Sequence, residues 1–99
     1  MRRVSNIAFN REFPAVTGVS QYVVGAQLSL RRDRHNLFDS ESVGIWLEGY
    51  PSIPFGWLYR KDKNRTVVLA ALSRREAVPG HLEFADDLAI GQKRIVFWL

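Results

Sequence analysis

The chain has 99 residues, 46% of them hydrophobic and three of them tryptophan, enough for one domain around one apolar core and too apolar for intrinsic disorder. It has no cysteine, which excludes a disulfide scaffold, a thiolate metal site and a cysteine nucleophile. The net charge of +4, from 14 basic and 10 acidic side chains, suits an anionic partner but is also ordinary for a solvated domain.

Eleven of the fourteen basic residues are arginine, whose planar fork grips phosphate and stacks on bases. Arg31, Arg32 and Arg34 form one cluster, and Arg60, Lys61, Lys63 and Arg65 a second; Arg74 and Arg75 follow beside Glu76. No apolar run approaches the roughly 18 residues of a membrane span. The opening MRRVSNIAFNREFPAV lacks the unbroken apolar stretch of a secretory signal, so a cytoplasmic location is expected.

In chain order, residues 1–12 read as a basic, loosely held arm ended by Pro14, with a single domain over 13–99. FPAVTGVSQYVVGAQLSLRR is rich in β-branched residues and short alternations and is broken by Gly18 and Gly25, which predicts one or two strands around 15–31. Leu28 and Leu30 fall on one face, Gln27, Ser29 and Arg31 on the other. DRHNLFDSES has Asp, Asn and Ser at turn density. VGIWLE resumes as a strand with Val43, Ile45 and Leu47 on one face and Gly44, Trp46 and Glu48 on the other. After the turn GYPSIP, FGWLYR is a short strand whose Gly56 suggests close approach of another backbone or of a partner.

KDKNRTVVLAALSRRE favours a helix near residues 62–74, with an apolar stripe at Val67, Val68, Ala71 and Leu72 and Asp62 or Asn64 as cap. The β-branched TVV keeps a strand over 65–72 as the alternative. Leu82–Phe84, the connection ADDLAIGQK and the strand RIVFWL complete the chain, the last expected to close the sheet. Many short strands with Gly- or Pro-containing turns favour a small mostly-β barrel or roll with one helix.

No catalytic constellation is legible. His35 and His81 lack metal-ligand spacing, adjacent Asp86 and Asp87 do not converge, and Gly18 and Gly25 do not make a phosphate-binding loop. The expectation is a non-enzyme without cofactor or metal. Asn36 and Asp39 carry two readings: they shape the turn, with Asp39 taking backbone N–H groups and an ion pair from Arg32, or they meet a ligand sugar or base. Among the rings, Tyr22, Phe38 and Trp57 rank ahead of Trp46 and Trp98 as stacking surfaces for bases, against the ordinary alternative that each is core.

The segment GVSQYVVGAQLSLRRDRHNLFDSESVGIWL, with FGWLYR after it, resembles the HIRAN domain family. The family pattern runs from a V/T-G-V strand through L-x-R-[ED]-x-x-N-x-x-D-x-x-[AS]-V to a later G-x-[LV]-x-[RK]. Here those pieces are Thr17-Gly18-Val19, Leu30 to Val43 with Arg32, Asp33, Asn36, Asp39 and Val43 in register, and Gly56 to Arg60. The likeness covers roughly residues 15–72. It implies an OB-like six-stranded barrel with one or two short helices, and a module that binds single-stranded DNA and captures its 3′ end during repair and remodelling of replication forks.

Carried over by position, Asn36, Phe38 and Asp39 would contact the terminal nucleotide, Phe38 by stacking and Asp39 at the 3′-hydroxyl, and Arg60 would meet phosphate. Arg32 and Asp33 belong to the signature and would equally serve as a hairpin ion pair. Ser20 and Gln21 stand where end-binding members have an arginine and an aromatic, and Trp57 replaces a histidine; Tyr22 and Trp57 would partly replace the missing ring. These departures put end selectivity in question while leaving DNA binding expected. Phosphates are then assigned to Arg31, Arg34, Arg60 and Lys61, and bases to Phe38 or Trp57. The alternative is an interaction module docking on a helicase, nuclease or similar DNA-processing protein.

Overall fold

The computed structural model describes residues 1–84 and 93–99. In chain order these form β1 (Arg2–Phe9), α1 (Phe13–Thr17), β2 (Gln27–Arg32), β3 (Val43–Leu47), β4 (Gly56–Leu58), α2 (Arg65–Leu72), β5 (Val78–Phe84) and β6 (Arg94–Trp98). The strands make one closed barrel in the order β1-β4-β3-β2-β5-β6, with every pairing antiparallel. The architecture is mostly β and OB-like, as expected. No helix among the described residues is long and apolar enough to cross a membrane.

Closure depends on β1, which pairs with β6 along Arg2–Asn6 and with β4 along Ile7–Phe9. These residues are therefore not a loose arm. The strand was hidden in the sequence because much of its first half packs against polar groups. Ser5 is buried, donating to Asp62 Oδ1 at 2.9 Å and accepting from Asn64 Nδ2 at 2.8 Å. Asn64 Nδ2 also donates to the Val4 carbonyl, and Arg3 donates to Asn64 Oδ1. A buried hydroxyl met by two partners replaces the apolar side chain that alternation looks for.

The stretch expected as strand from residue 15 splits differently. Phe13–Thr17 is a helix with Pro14 in its first turn, where the missing N–H costs no bond, and Gly18 ends it at φ 75°. Extended structure starts only at Gln27, and there the predicted faces hold: Leu28 and Leu30 are buried and Gln27 and Arg31 exposed. On β3, Val43, Ile45 and Leu47 all point into the core. The helical reading of TVVLAAL also holds; α2 buries Val68, Ala71 and Leu72 against β2, β3 and β5. Tertiary burial of this stripe overrides the modest helix cost of the β-branched residues. Asp62 Oδ1 accepts the Asn64 N–H at 2.8 Å just before the helix, whereas the Asn64 side chain serves β1 and caps nothing.

A cluster of rings fills the core beside α1. Phe13 and Phe55 are fully buried with their centroids 5.1 Å apart, and Phe9, Tyr22 and Tyr50 pack on them, largely edge to face, with centroids 5.9–6.2 Å from the Phe13 ring or 5.0–5.3 Å from that of Phe55. Gly56 shows the close approach its position suggested. A Cβ there would strike the Ile7 side chain and lie 2.7 Å from the Ala8 carbonyl oxygen of β1. The strand RIVFWL closes the sheet by pairing with both β5 and β1. Asp86 and Asp87 lie outside the described residues.

Candidate functional site

The turn between β2 and β3 is built from its own short polar side chains. Asp33 Oδ1 accepts the His35 N–H, and Asn36 Oδ1 accepts the N–H groups of Phe38 and Asp39 at 2.9 and 3.1 Å. Asn36 Nδ2 donates to Ser42 Oγ at 3.2 Å, tying the two sides of the turn. Asp39 Oδ1 accepts the Glu41 N–H at 3.0 Å. These are Asx-type bonds, which explains why Asp and Asn occupy those places.

From the far side, Arg65 of α2 clamps the same turn. Its Nη2 donates to both Asp39 oxygens at 2.9 Å, its Nε to the Glu41 carbonyl at 3.1 Å and its Nη1 to the Arg60 carbonyl at 3.2 Å. Arg60 adds an ion pair to Asp39 at 3.5 Å and a bond from Nη2 to the Phe38 carbonyl at 3.3 Å. Partial burial pushes the Asp39 carboxyl up. The Glu41 amide and the Arg65 and Arg60 guanidiniums outweigh that and hold it below its ordinary value. The expected ion pair from Arg32 is replaced: Arg32 meets Glu41 at 3.5 Å, and Asp39 takes Arg65. Nor do Arg32 and Asp33 pair with each other, because Asp33 Oδ2 accepts the Trp57 indole N–H at 2.7 Å.

Next to this turn, the outward faces of β2 and β3 form an open groove of about 870 Å³, with Arg31, Arg32, Asp33, Arg34, His35 and Trp46 along it and Pro79 of β5 at one side. Strand register sets its floor: Ser29 lies between Trp46 and Pro79, and Arg31 lies beside Gly44, which in turn lies beside Trp57. Trp46 leans over Gly44; a Cβ on that glycine would be 2.5 Å from the indole Cζ3. Arg31 reaches Ser29 Oγ at 3.2 Å and the exposed Glu76 at 3.6 Å. Arg34 has no hydrogen-bond or ion-pair partner among the described residues. Arginine forks around an indole face can hold phosphates and stack a base.

The structure thus gathers Arg31, Arg32, Asp33 and Arg34 along the groove and Asn36, Phe38 and Asp39 in the adjoining turn, which Arg60 reaches from the segment after β4. Phe38 is 91% exposed and Leu37 beside it 93%. Lys61 is exposed just before α2. Trp57 is half-buried and held through Asp33, while Val43 and Gly56 are barrel-forming positions. Tyr22 joins neither group. It packs among Phe9, Phe13 and Phe55, and its hydroxyl donates to the Val19 carbonyl. Ser20 and Gln21 are exposed between α1 and β2.

Two residues that the sequence reading ranked low emerge as central. Trp46 carries the groove's ring, and its signal was present, since it alternates with the core residues Ile45 and Leu47 on the same outward face as Gly44. Arg65 was legible only as one member of a basic cluster. Among the described residues no group of His, Asp and Glu is placed to hold a metal ion. Comparison with protein-family models, with curated proteins and with solved structures returns no match.

Proposed function

We propose that the barrel is a HIRAN-like, non-catalytic module that binds single-stranded DNA in the cytoplasm, beside a DNA-processing enzyme such as a helicase or nuclease. One observation carries the reading: Arg31, Arg32 and Arg34 line a single groove with the Trp46 indole in it. Cations that track a backbone beside a ring that stacks bases are what sequence-tolerant single-strand binding needs. The in-register motif from Leu30 to Val43 adds to it, because its Arg31, Arg32, Asp33, Arg34 and His35 line this groove and its residues 36–41 form the turn alongside. Work in repair or at replication forks follows from the resemblance.

Fluorescence anisotropy with a labelled short single strand tests the reading. Saturable binding that weakens steeply with salt is expected. No binding at low salt overturns it. A protein-docking role is the second reading, favoured by the exposed apolar pair Leu37 and Phe38. The non-catalytic part is tested with metal-supplemented protein and the same strand. No cleavage is expected, and cleavage lost on His35→Ala or Asp39→Ala overturns it.

A further inference from the structure

We infer that the groove takes an internal run of a single strand, one base lying on the Trp46 ring, and that the 36–41 turn holds the groove's rim rather than a strand end. The inference rests on the single-strand reading above and names which part of the strand is bound.

Trp46 is suited to be a platform by its backing. Its ring end lies where a side chain at position 44 would be, so Gly44 gives it a fixed seat, and the indole is half-buried while still lining the groove. A ring held on one side costs little ordering when a base stacks on the other. Arg31 and Arg34 stand at one end of this platform, and Gln27 and Ser29 along its floor carry donors and acceptors for a base edge. Arg31's ion pair is with an exposed glutamate and is readily exchanged for phosphate.

The turn, in contrast, has little left to offer a terminal hydroxyl. Asn36 uses its carbonyl oxygen on two backbone amides and its amino group on Ser42. Both oxygens of Asp39 already accept from Arg65, which is only 12% exposed and also ties down the Glu41 and Arg60 carbonyls. A hydroxyl arriving at Asp39 would have to compete with a charged guanidinium whose Nη2 already bonds both of its oxygens. In the groove the competition is weaker: Arg31 and Arg32 meet only the exposed glutamates Glu76 and Glu41, at 3.6 and 3.5 Å, and Arg34 has no partner among the described residues.

Three probes of one base composition separate the possibilities: a linear strand with a free 3′-hydroxyl, the same strand with a 3′-phosphate, and a circular strand. Equal affinity for all three, to within about twofold, is expected. Trp46→Leu is expected to weaken all three by about tenfold, the loss of one stacked base, and Trp46→Phe to retain most of the binding. Circular dichroism shows that each variant folds. Linear strands bound tenfold more tightly than the circle overturn the inference and leave single-strand binding standing, as does Trp46→Leu binding like wild type. No binding of any probe overturns both.

Discussion

Asp39 and Arg65 show how one carboxylate can be claimed by the fold. The pair is 26 residues apart in sequence, joined by two 2.9 Å bonds, and the Glu41 amide completes the shell. Because the folded-state pKa of Asp39 lies below its ordinary 3.8, its contribution to stability is fully present above pH 3.8 and is lost as pH falls through the folded value. Urea unfolding across pH should therefore show Asp39→Asn less stable than wild type by a constant margin at neutral and mildly acidic pH. That margin should shrink below pH 3.8. A margin independent of pH down to the acid limit would show that the ion pair contributes nothing. The turn chemistry was legible, since Asn36 and Asp39 have the spacing of Asx turns. The partner was not: choosing Arg65 over the nearer Arg32 depends on where α2 docks, which local sequence does not encode.

Strands were easiest to read where apolar alternation was strict and hardest where burial was polar or shared. β2 and β3 declared their faces through Leu28, Leu30, Val43, Ile45 and Leu47, all of which enter the core. β1 did not, because Ser5 is met by Asp62 and Asn64. Residues 15–17 read as strand because Val16 and Thr17 are β-branched, although Pro14 just before them suits a helix's first turn. Gly56 was legible as a close approach, and its crossing with β1 gives that reading a number. In Gly56→Ala the new methyl meets Ile7, which is 4% exposed, and the Ala8 carbonyl oxygen at 2.7 Å. Neither can move without disturbing the β1–β4 pairing that closes the barrel. Overpacking of this kind costs about 1–3 kcal/mol, and thermal unfolding should report a fall of roughly 4–8 °C for each kcal/mol. An unchanged Tm would mean that β1 and β4 lie farther apart than this geometry gives.

At the scale of the whole molecule, closure turns a diffuse basic composition into a placed one. A net charge of +4 says little about where an anion sits, and the same surplus could act as an unlocalised field around the domain. The groove makes a sharper demand, and two arginines separate the cases. Arg34 lies along the groove and has no ion-pair partner among the described residues. Arg94 is exposed on β6, a strand that pairs with β1 and β5 and contributes nothing to the groove. Replacing either with alanine lowers the net charge by the same single unit. If binding follows total charge, both variants weaken alike. If phosphates lie along the groove, Arg34→Ala removes one contact and lowers the slope of log affinity against log salt by about 0.7, the counterion yield of one single-strand phosphate contact. Arg94→Ala then leaves that slope unchanged. Measured by anisotropy across a salt series, equal slopes for the two variants would detach the binding from the groove, and a loss confined to Arg34→Ala would tie it to the wall formed by the arginines of β2 and its turn.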